Sequence, residues 1–369
     1  MIKDFYKQII EQIPSNSNLA IWGTSDVAVC FKQYINELRK DVNIKFFISS
    51  YKFENSIDDK IISSLDFVEH SNEVDSVIIT SYSGKIFIEN ILKLLKIKNI
   101  FYINEDFLKK EEIYNPEETK KVFKDEKDKQ LFELISNYRA NINAYKKDLE
   151  RYYVLNHPLS VAGYAKNHYF DFIKKDKIET VIDAGGFDCF QSLLFLNEFP
   201  KCKKVYTFEP CYKTFKKPFY DSIIKKRKEI DIIEKGLWSK TDILEFRKEN
   251  DVLGGSAITD VKPALHESYD IIKIPVIFID DFVIENNIKK IDFIKMDIEN
   301  AEKNAIIGGL KTILRDRPQM AISIYHSQEQ FYELPIFLKE TLENYSFHLE
   351  HYSNGWCETV LYAIPNDLL

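Results

Sequence analysis

The sequence predicts an α/β protein in two parts, each built on a doubly wound parallel sheet, with an antiparallel hairpin closing the second. Three observations lead there. Strand-like and helix-like stretches alternate over residues 1–110 and resume from 158, the pattern of parallel sheets covered by helices. A charge-dense stretch, 111–157, separates the two and carries a helical pattern instead. The chain closes on "YSFHLEHYS" and "CETVLYAI", two strand patterns with the turn residues Asn354 and Gly355 between them, which read as an antiparallel hairpin.

Composition narrows the classes of function. A chain of 369 residues with 45% hydrophobic side chains is long and apolar enough for two cores. Its 51 basic and 58 acidic residues leave a formal charge of −7, which argues against nucleic acid as the main partner, because counterion release needs a clustered positive face. The five cysteines (Cys30, Cys189, Cys202, Cys211, Cys357) are odd in number and form no C-x-x-C pair, so neither a disulfide framework nor a zinc site is indicated. "MIKDFYKQIIEQI" reads as a short charged amphipathic helix, not a signal peptide. No window approaches the ~18 uncharged apolar residues of a membrane span. A soluble, cytoplasmic protein is expected.

Over residues 1–110, "NLAIWGTSDVAVCFKQYI" is a strand, a glycine turn and a helix. "NIKFFISS", "VDSVIITSY" and "NIFYIN" are further strands, with "KIFIENILKLLKI" a helix among them. The turn Gly23-Thr24-Ser25-Asp26-Val27-Ala28 holds one glycine of the three in a dinucleotide fingerprint. The second strand ends in Ser49 and Ser50, with no carboxylate to hold a ribose. A Rossmann-like accessory domain fits this better than a working nicotinamide site.

Within 111–157, Leu131, Ile135, Tyr138, Ile142, Tyr145, Leu149 and Tyr152 recur at alternating spacings of four and three, a seam of period 3.5 flanked by charges. Two readings follow. The stretch is a linker helix lying on its own chain, or residues 131–152 pair with their copy in a homodimer.

From 158 to 369 the strand patterns are "TVIDAG", "KVYTFEP", "IDIIEKGLW", "IDFIKMDIE" and "QMAISIYH", then the hairpin. A parallel sheet finished by an antiparallel hairpin strand is the pattern of the class I methyltransferase fold. A dehydrogenase domain normally ends on a parallel strand. Ligands in open α/β sheets sit beyond the carboxyl ends of the strands. After the first strand of this part come Asp183, Gly185 and Gly186, where glycines admit close backbone approach and a helix start adds positive partial charge. Glu209 ends the second, where a carboxylate can accept both hydroxyls of a ribose. Asp183 beside the turn suits an ammonium or its bound water. Together they fit a nucleoside ligand carrying an amine, such as S-adenosylmethionine. Each alone also has a plain structural role, Asp183 as a helix cap and Glu209 as a solvated strand-end charge.

Residues 180–364 resemble an FkbM-type S-adenosylmethionine-dependent methyltransferase. The matching pieces are "VIDAGGFDCF", "VYTFEP", "GGSAI", "VIFIDDF", "IDFIKMDIENAEKNAIIGG", "RPQMAISIYHSQEQFYELP" and "CETVLYA", in the family's order over about half the chain. The resemblance implies methyl transfer, commonly to a hydroxyl of a sugar or natural product, in bacterial surface-polysaccharide settings. The acceptor class implied is a saccharide or nucleotide-sugar. Two departures stand out, since the family usually has glycine where this chain has Cys189 and Asn300. A side chain forced to positive φ there costs roughly 1 kcal/mol, less for Asn. A non-catalytic nucleoside-binding or assembly module is the alternative these departures leave open.

Lys295, Asp297 and Glu299 alternate, so one strand end is expected to face all three the same way. Asp297 would lie beside the transferring methyl and bind the cofactor, with Glu299 at the next helix start. Two carboxylates there could hold a divalent ion, but with no histidine in the same motif a metal is not favoured. His326 ends the following strand and is the candidate general base, with Asp297 and Glu299 as catalytic partners and His266 a further histidine that could cover the site.

Overall fold

The computed structural model describes residues 9–23, 26–49, 61–80, 85–103, 114–157, 167–249, 256–258 and 269–368. The described chain divides into two compact units. One holds the residues up to 103 together with 137–146, and the other holds 114–136 and 147–368.

The first unit is a five-stranded sheet of β1 (Asn18–Trp22), β2 (Asn43–Ser49), β3 (Ile61–Ser63), β4 (Ser76–Ile79) and β5 (Asn99–Tyr102). All neighbours are parallel, and the spatial order is β3-β2-β1-β4-β5. The central strands β1 and β4 are nearly continuous apolar runs because both their faces are buried. Ile9, Ile10, Ile13, Phe31, Ile35 and Phe101 form one core cluster with Leu19 and Ile78, while Ile21, Ala28 and Phe47 form another. Gly23 begins the turn after β1 at φ 132, but Thr24 and Ser25 lie outside the described residues.

The second unit is built on a seven-stranded sheet of β6 (Thr180–Ala184), β7 (Lys204–Phe208), β8 (Ile230–Ile233), β13 (Phe293–Met296), β14 (Gln319–Ser323), β15 (Tyr345–His351) and β16 (Thr359–Pro365). Their order is β15-β16-β14-β13-β6-β7-β8. The strands from β14 to β8 run parallel, and β16 runs antiparallel to both β14 and β15. The closing hairpin expected from the sequence is therefore present, its connection spanning Tyr352–Glu358. The register sets Thr207, Asp183, Lys295, Ala321 and Tyr362 side by side across five strands. A second sheet joins β9 (Gly236–Leu237), β10 (Asp242–Glu249), β11 (Ala257–Ile258) and β12 (Tyr269–Ile277) in the order β11-β10-β12-β9. Phe246, Ile258, Ile274 and Val276 on its inner face pack with Cys211 and Ala301, just past the ends of β7 and β13. It covers the loops at the end of the seven-stranded sheet where a ligand would sit.

The charged segment is not one helix. It forms helices Pro116–Lys120, Glu126–Ala140 and Ile142–Asn156, broken at Asn141, whose side chain accepts the Ala144 N–H at 3.1 Å. Leu131, Ile135, Tyr138, Ile142 and Leu149 are all buried within the chain. This fits the reading of a linker lying on its own chain better than the homodimer through residues 131–152, although Tyr145 and Tyr152 of the seam are only half-buried. Among the described residues no helix is long and apolar enough to cross a membrane. Replacing Ile135 with Lys should therefore destabilise the fold by more than about 3 kcal/mol in urea unfolding, where a dimer seam would instead yield folded monomers.

Candidate active site

The loop after β6 folds tightly because two glycines let it. Gly185 and Gly186 both donate their N–H to the Phe208 carbonyl, at 3.0 and 3.1 Å. Gly185 sits at φ +82, and a Cβ there would fall 1.8 Å from the Asp297 carbonyl oxygen. A Cβ on Gly186 would fall 2.2 Å from Thr207 Cγ2. The glycines thus bring the loop against β7 and against the turn after β13. Cys189 caps the following helix, Phe190–Glu198, at φ 62, with its side chain buried in the core and making no cap hydrogen bond. Asn300 lies at φ 78, beside Glu299 at φ 54. Both positions flagged as glycine departures do adopt left-handed backbone.

Asp183 points into the sheet. It is fully buried, accepts Ser192 Oγ–H at 2.5 Å, and pairs with Lys295 Nζ at 3.3 Å. The same ammonium donates to the carbonyls of Ala184 and Gly185, at 3.1 and 2.7 Å. Asp183, expected as a cofactor ligand, thus lies behind the loop and pairs with the lysine that shapes it. Glu209, just past β7, accepts the Phe187 N–H at 3.0 Å and the Cys211 N–H at 2.9 Å. Burial pushes its carboxyl up to about 7, against those two N–H donors and the Lys295 charge, with Asp183 adding to the rise. Burial also raises the Cys189 and Cys211 thiols beside it, with the Glu209 charge adding to both.

The sheet end beyond β13 and β14 gathers an acidic cluster around one imidazole. β13 stops at Met296, so the expected alternation fails there: Lys295 points into the row with Asp183, while Asp297 and Glu299 sit on the turn beyond. His326 Nε2 lies 3.2 Å from Asp297 Oδ1 and 3.7 Å from Glu299 Oε1, and Nδ1 lies 3.3 Å from Glu302 Oε1. These are ion-pair distances; neither ring nitrogen has a well-directed hydrogen bond. The imidazole is wholly covered, whereas the Asp297 and Glu299 side chains keep 24% and 17% exposure, so the carboxylates face outward and the ring does not. Burial alone would lower the imidazole pKa, but Glu299, Glu302 and Asp297 outweigh it and hold the ring protonated well above its ordinary range. The structure thus places the expected general base, His326, inside a carboxylate cluster rather than on the open side of the site. Burial would raise the Asp297 carboxyl, yet His326 and Lys295 hold it well below the usual range.

Tyr325 and Glu358 stand in the matching motifs "RPQMAISIYHSQEQFYELP" and "CETVLYA", whereas His168, Tyr169 and Gln330 were given no role from the sequence. Tyr169, from the segment before β6, donates to Asp297 Oδ2 at 2.8 Å, and Tyr325 donates to Oδ1 at 3.3 Å. Glu302 accepts the Ile298 N–H at 2.8 Å and the Gln330 side-chain amide. Burial pushes His168 down to about 3; it stacks on Tyr169 and lies 3.3 Å from Glu358, whose own carboxyl is raised by burial and by the Asp297 charge. Only the spacing Asp297-x-Glu299-x-x-Glu302 could have drawn attention to Glu302. His266 lies outside the described residues.

Residues 186–349, from just past β6 into β15, match the family model of the methyltransferase FkbM domain. That stretch, a little under half of the chain, is similar to the FkbM methyltransferase domain. The solved structure of a methyltransferase FkbM from Methylobacillus flagellatus KT aligns over 97% of this chain and 93% of its own, at 18% identity and a TM-score of 0.58. That likeness extends to the fold, a class I methyltransferase-like α/β architecture. A fibrillarin from Aeropyrum pernix, solved with S-adenosyl-L-methionine, aligns over 52% of this chain and 69% of its own at 11% identity and a TM-score of 0.30, too weak to support an argument. No curated protein matches the sequence significantly.

The glycine loop after β6 supplies a direct test. Gly185→Ala must displace the Asp297 carbonyl and adopt a left-handed backbone, and should cost about 3 kcal/mol or more in thermal or urea unfolding. Gly355→Ala, where a Cβ would meet nothing within 4 Å, should stay within about 0.5 kcal/mol.

Proposed function

We propose that this protein is an S-adenosylmethionine-dependent O-methyltransferase whose acceptor is a hydroxyl of a sugar, nucleotide-sugar or surface glycan. The observation that carries it is the Glu209 carboxyl, set beside the Gly185–Gly186 loop at the end of β7, where it can accept the two hydroxyls of a ribose. The donor set suits such a ligand. In the first turn of the helix after the loop, the Gln191 amide nitrogen is buried without a hydrogen bond, a donor for a further polar group. Bound there, the cofactor supplies an electrophilic methyl on a sulfonium and leaves as a neutral thioether.

This chain's residues then have two tasks. The loop and Glu209 hold the nucleoside, and the carboxylates past β13 serve the acceptor. A sugar hydroxyl needs its proton removed as the carbon–oxygen bond forms. Glu299, partly exposed, is the carboxylate placed to receive that proton. His326 acts as a positioning residue, its buried charge holding Asp297 and Glu299 in place. Polysaccharide chemistry as the setting rests on the family resemblance alone.

Adenosyl binding is the first measurement. At one hundred times Kd, S-adenosylhomocysteine should stabilise the folded chain by about 2.7 kcal/mol, read as a rise in Tm. NADH should give no shift. Glu209→Ala should lose the shift while leaving the unliganded chain folded. Stabilisation by NADH alone would overturn the reading. Turnover is then read by mass spectrometry, as the added mass of a methyl group on members of a glycan panel.

The Glu209 titration gives the affinity a pH dependence of defined sign. Only the carboxylate accepts both hydroxyls, and its carboxyl protonates as pH falls through about 7. Kd for S-adenosylhomocysteine should therefore rise as pH drops, by up to about tenfold per unit below pH 6, and level off above about 8. Glu209→Gln should bind weakly and flatten the profile. A Kd independent of pH in the unaltered chain would remove Glu209 from the site.

A further inference from the structure

We propose that Asp297, Glu302 and His326 form a divalent-cation site that takes Mg²⁺ or Mn²⁺ beside the acceptor position. One ligand atom from each of the three lies within 4.8 Å of the others. An ion about 2.1 Å from each of its ligands holds cis ligands about 3 Å and trans ligands about 4.2 Å apart, so His326 Nε2 and Asp297 Oδ1, at 3.2 Å, are already spaced for a cis pair and the cluster has to draw in around them. Glu299 lies just outside, its Oε1 3.7 Å from His326 Nε2.

Charge argues in the same direction. Three carboxylates, those of Asp297, Glu299 and Glu302, surround one imidazole. Lys295, the neighbouring ammonium, is already spent on Asp183 and two loop carbonyls. A dication in the cluster offsets that excess. His326 adds the independent observation: its ring is buried, and both nitrogens point at carboxylates without a proper hydrogen bond. Without a cation the carboxylates keep the ring protonated; a metal ion that takes the proton's place binds the freed lone pair on one of those nitrogens.

The surroundings are those of ligands held in place. Gln330 links two of them, accepting the His326 backbone N–H at 3.2 Å through its side-chain oxygen and donating its amide to Glu302. The Ile298 N–H fixes the other Glu302 oxygen, and Tyr169 and Tyr325 orient Asp297. Such outer partners set ligand direction and typically change metal affinity about 10–100-fold when removed. Two carboxylates and one imidazole, with an outward side left for water or a hydroxyl, suit Mg²⁺ or Mn²⁺ better than a thiolate-seeking ion.

The inference rests on the proposed methyl transfer only for the use of the ion. An acceptor hydroxyl bound to it becomes a stronger acid, and its proton passes to the Glu299 carboxylate. The oxygen then forms its bond to the methyl carbon as the carbon–sulfur bond breaks, with that electron pair staying on sulfur.

The test uses the full chain stripped with EDTA and titrated with Mn²⁺, the free ion being followed by electron paramagnetic resonance. One Mn²⁺ per chain should bind with micromolar Kd and raise Tm. His326→Ala and Asp297→Asn should each weaken binding more than about tenfold. Glu299→Gln should change it less than about threefold. Pulsed resonance on the unaltered protein should detect one imidazole nitrogen coupled to the bound Mn²⁺, a readout that needs no variant to fold. Absence of saturable binding below millimolar Mn²⁺, or binding without nitrogen coupling, overturns the site. S-adenosylhomocysteine is titrated into the same stripped sample. If it binds while Mn²⁺ does not, the cation site alone falls; if Mn²⁺ binds while it does not, the methyltransferase reading falls and the site stands.

Discussion

The whole candidate site hangs on one buried ammonium. Lys295 projects from β13 onto the face it shares with Asp183 of β6, ion-pairs with the Asp183 carboxylate and donates to the Ala184 and Gly185 carbonyls. The Tyr169 ring closes over it at 5.3 Å. Desolvating such a charge is costly, and an ion pair recovers the cost only when its remaining donors are satisfied, as they are here. Removing either partner would strand a charge in the core at a cost of about 3–5 kcal/mol. The pair therefore does more to specify geometry than to add stability. It locks the end of β6 to the end of β13, and that lock sets the Gly185 loop against the Asp297 carbonyl.

A second constraint follows from that closeness. Phe187, Cys189, Glu299, Asn300, Glu358 and Tyr169 all have positive φ, and all lie on segments bordering the site. Each costs about 1 kcal/mol or more in an L residue, least for Asn. Asn300 is steadied by the Ser327 hydroxyl at 2.7 Å, and Glu299 by its place beside the imidazole. Cys189 lacks a capping bond but gains a place in the core, where a small apolar side chain fills space that glycine would leave open. Strain collected at one end of a sheet is a mark of a site whose geometry is imposed by its surroundings.

The four-stranded sheet beside this end is the part of the fold the sequence concealed. β10 and β12 pair along their whole length, yet each carries apolar residues on both faces, with Ile243 and Ile271 exposed. That mixture erases the alternation by which a half-buried strand is recognised. The linker misled in the opposite way. Its heptad spacing was legible, but the spacing is the same whether the seam meets a partner chain or its own, and the break at Asn141 left no mark in the periodicity.

By itself the sequence determined the seven-stranded sheet and its closing hairpin, because apolar runs and turn residues act locally and need no partner to be read. It also placed Gly185, Gly186, Glu209 and Asp297 at strand ends, and marked Cys189 and Asn300 as side chains in glycine's conformation. Only the tertiary structure decided what those groups face. Asp183 turned inward because its register neighbour is Lys295, and His326 became the centre of a carboxylate cage because Asp297, Glu299 and Glu302 converge on it from another segment. The reason is physical: which charges share a desolvated volume depends on how strands and turns pack, and a linear spacing carries no record of the space between them.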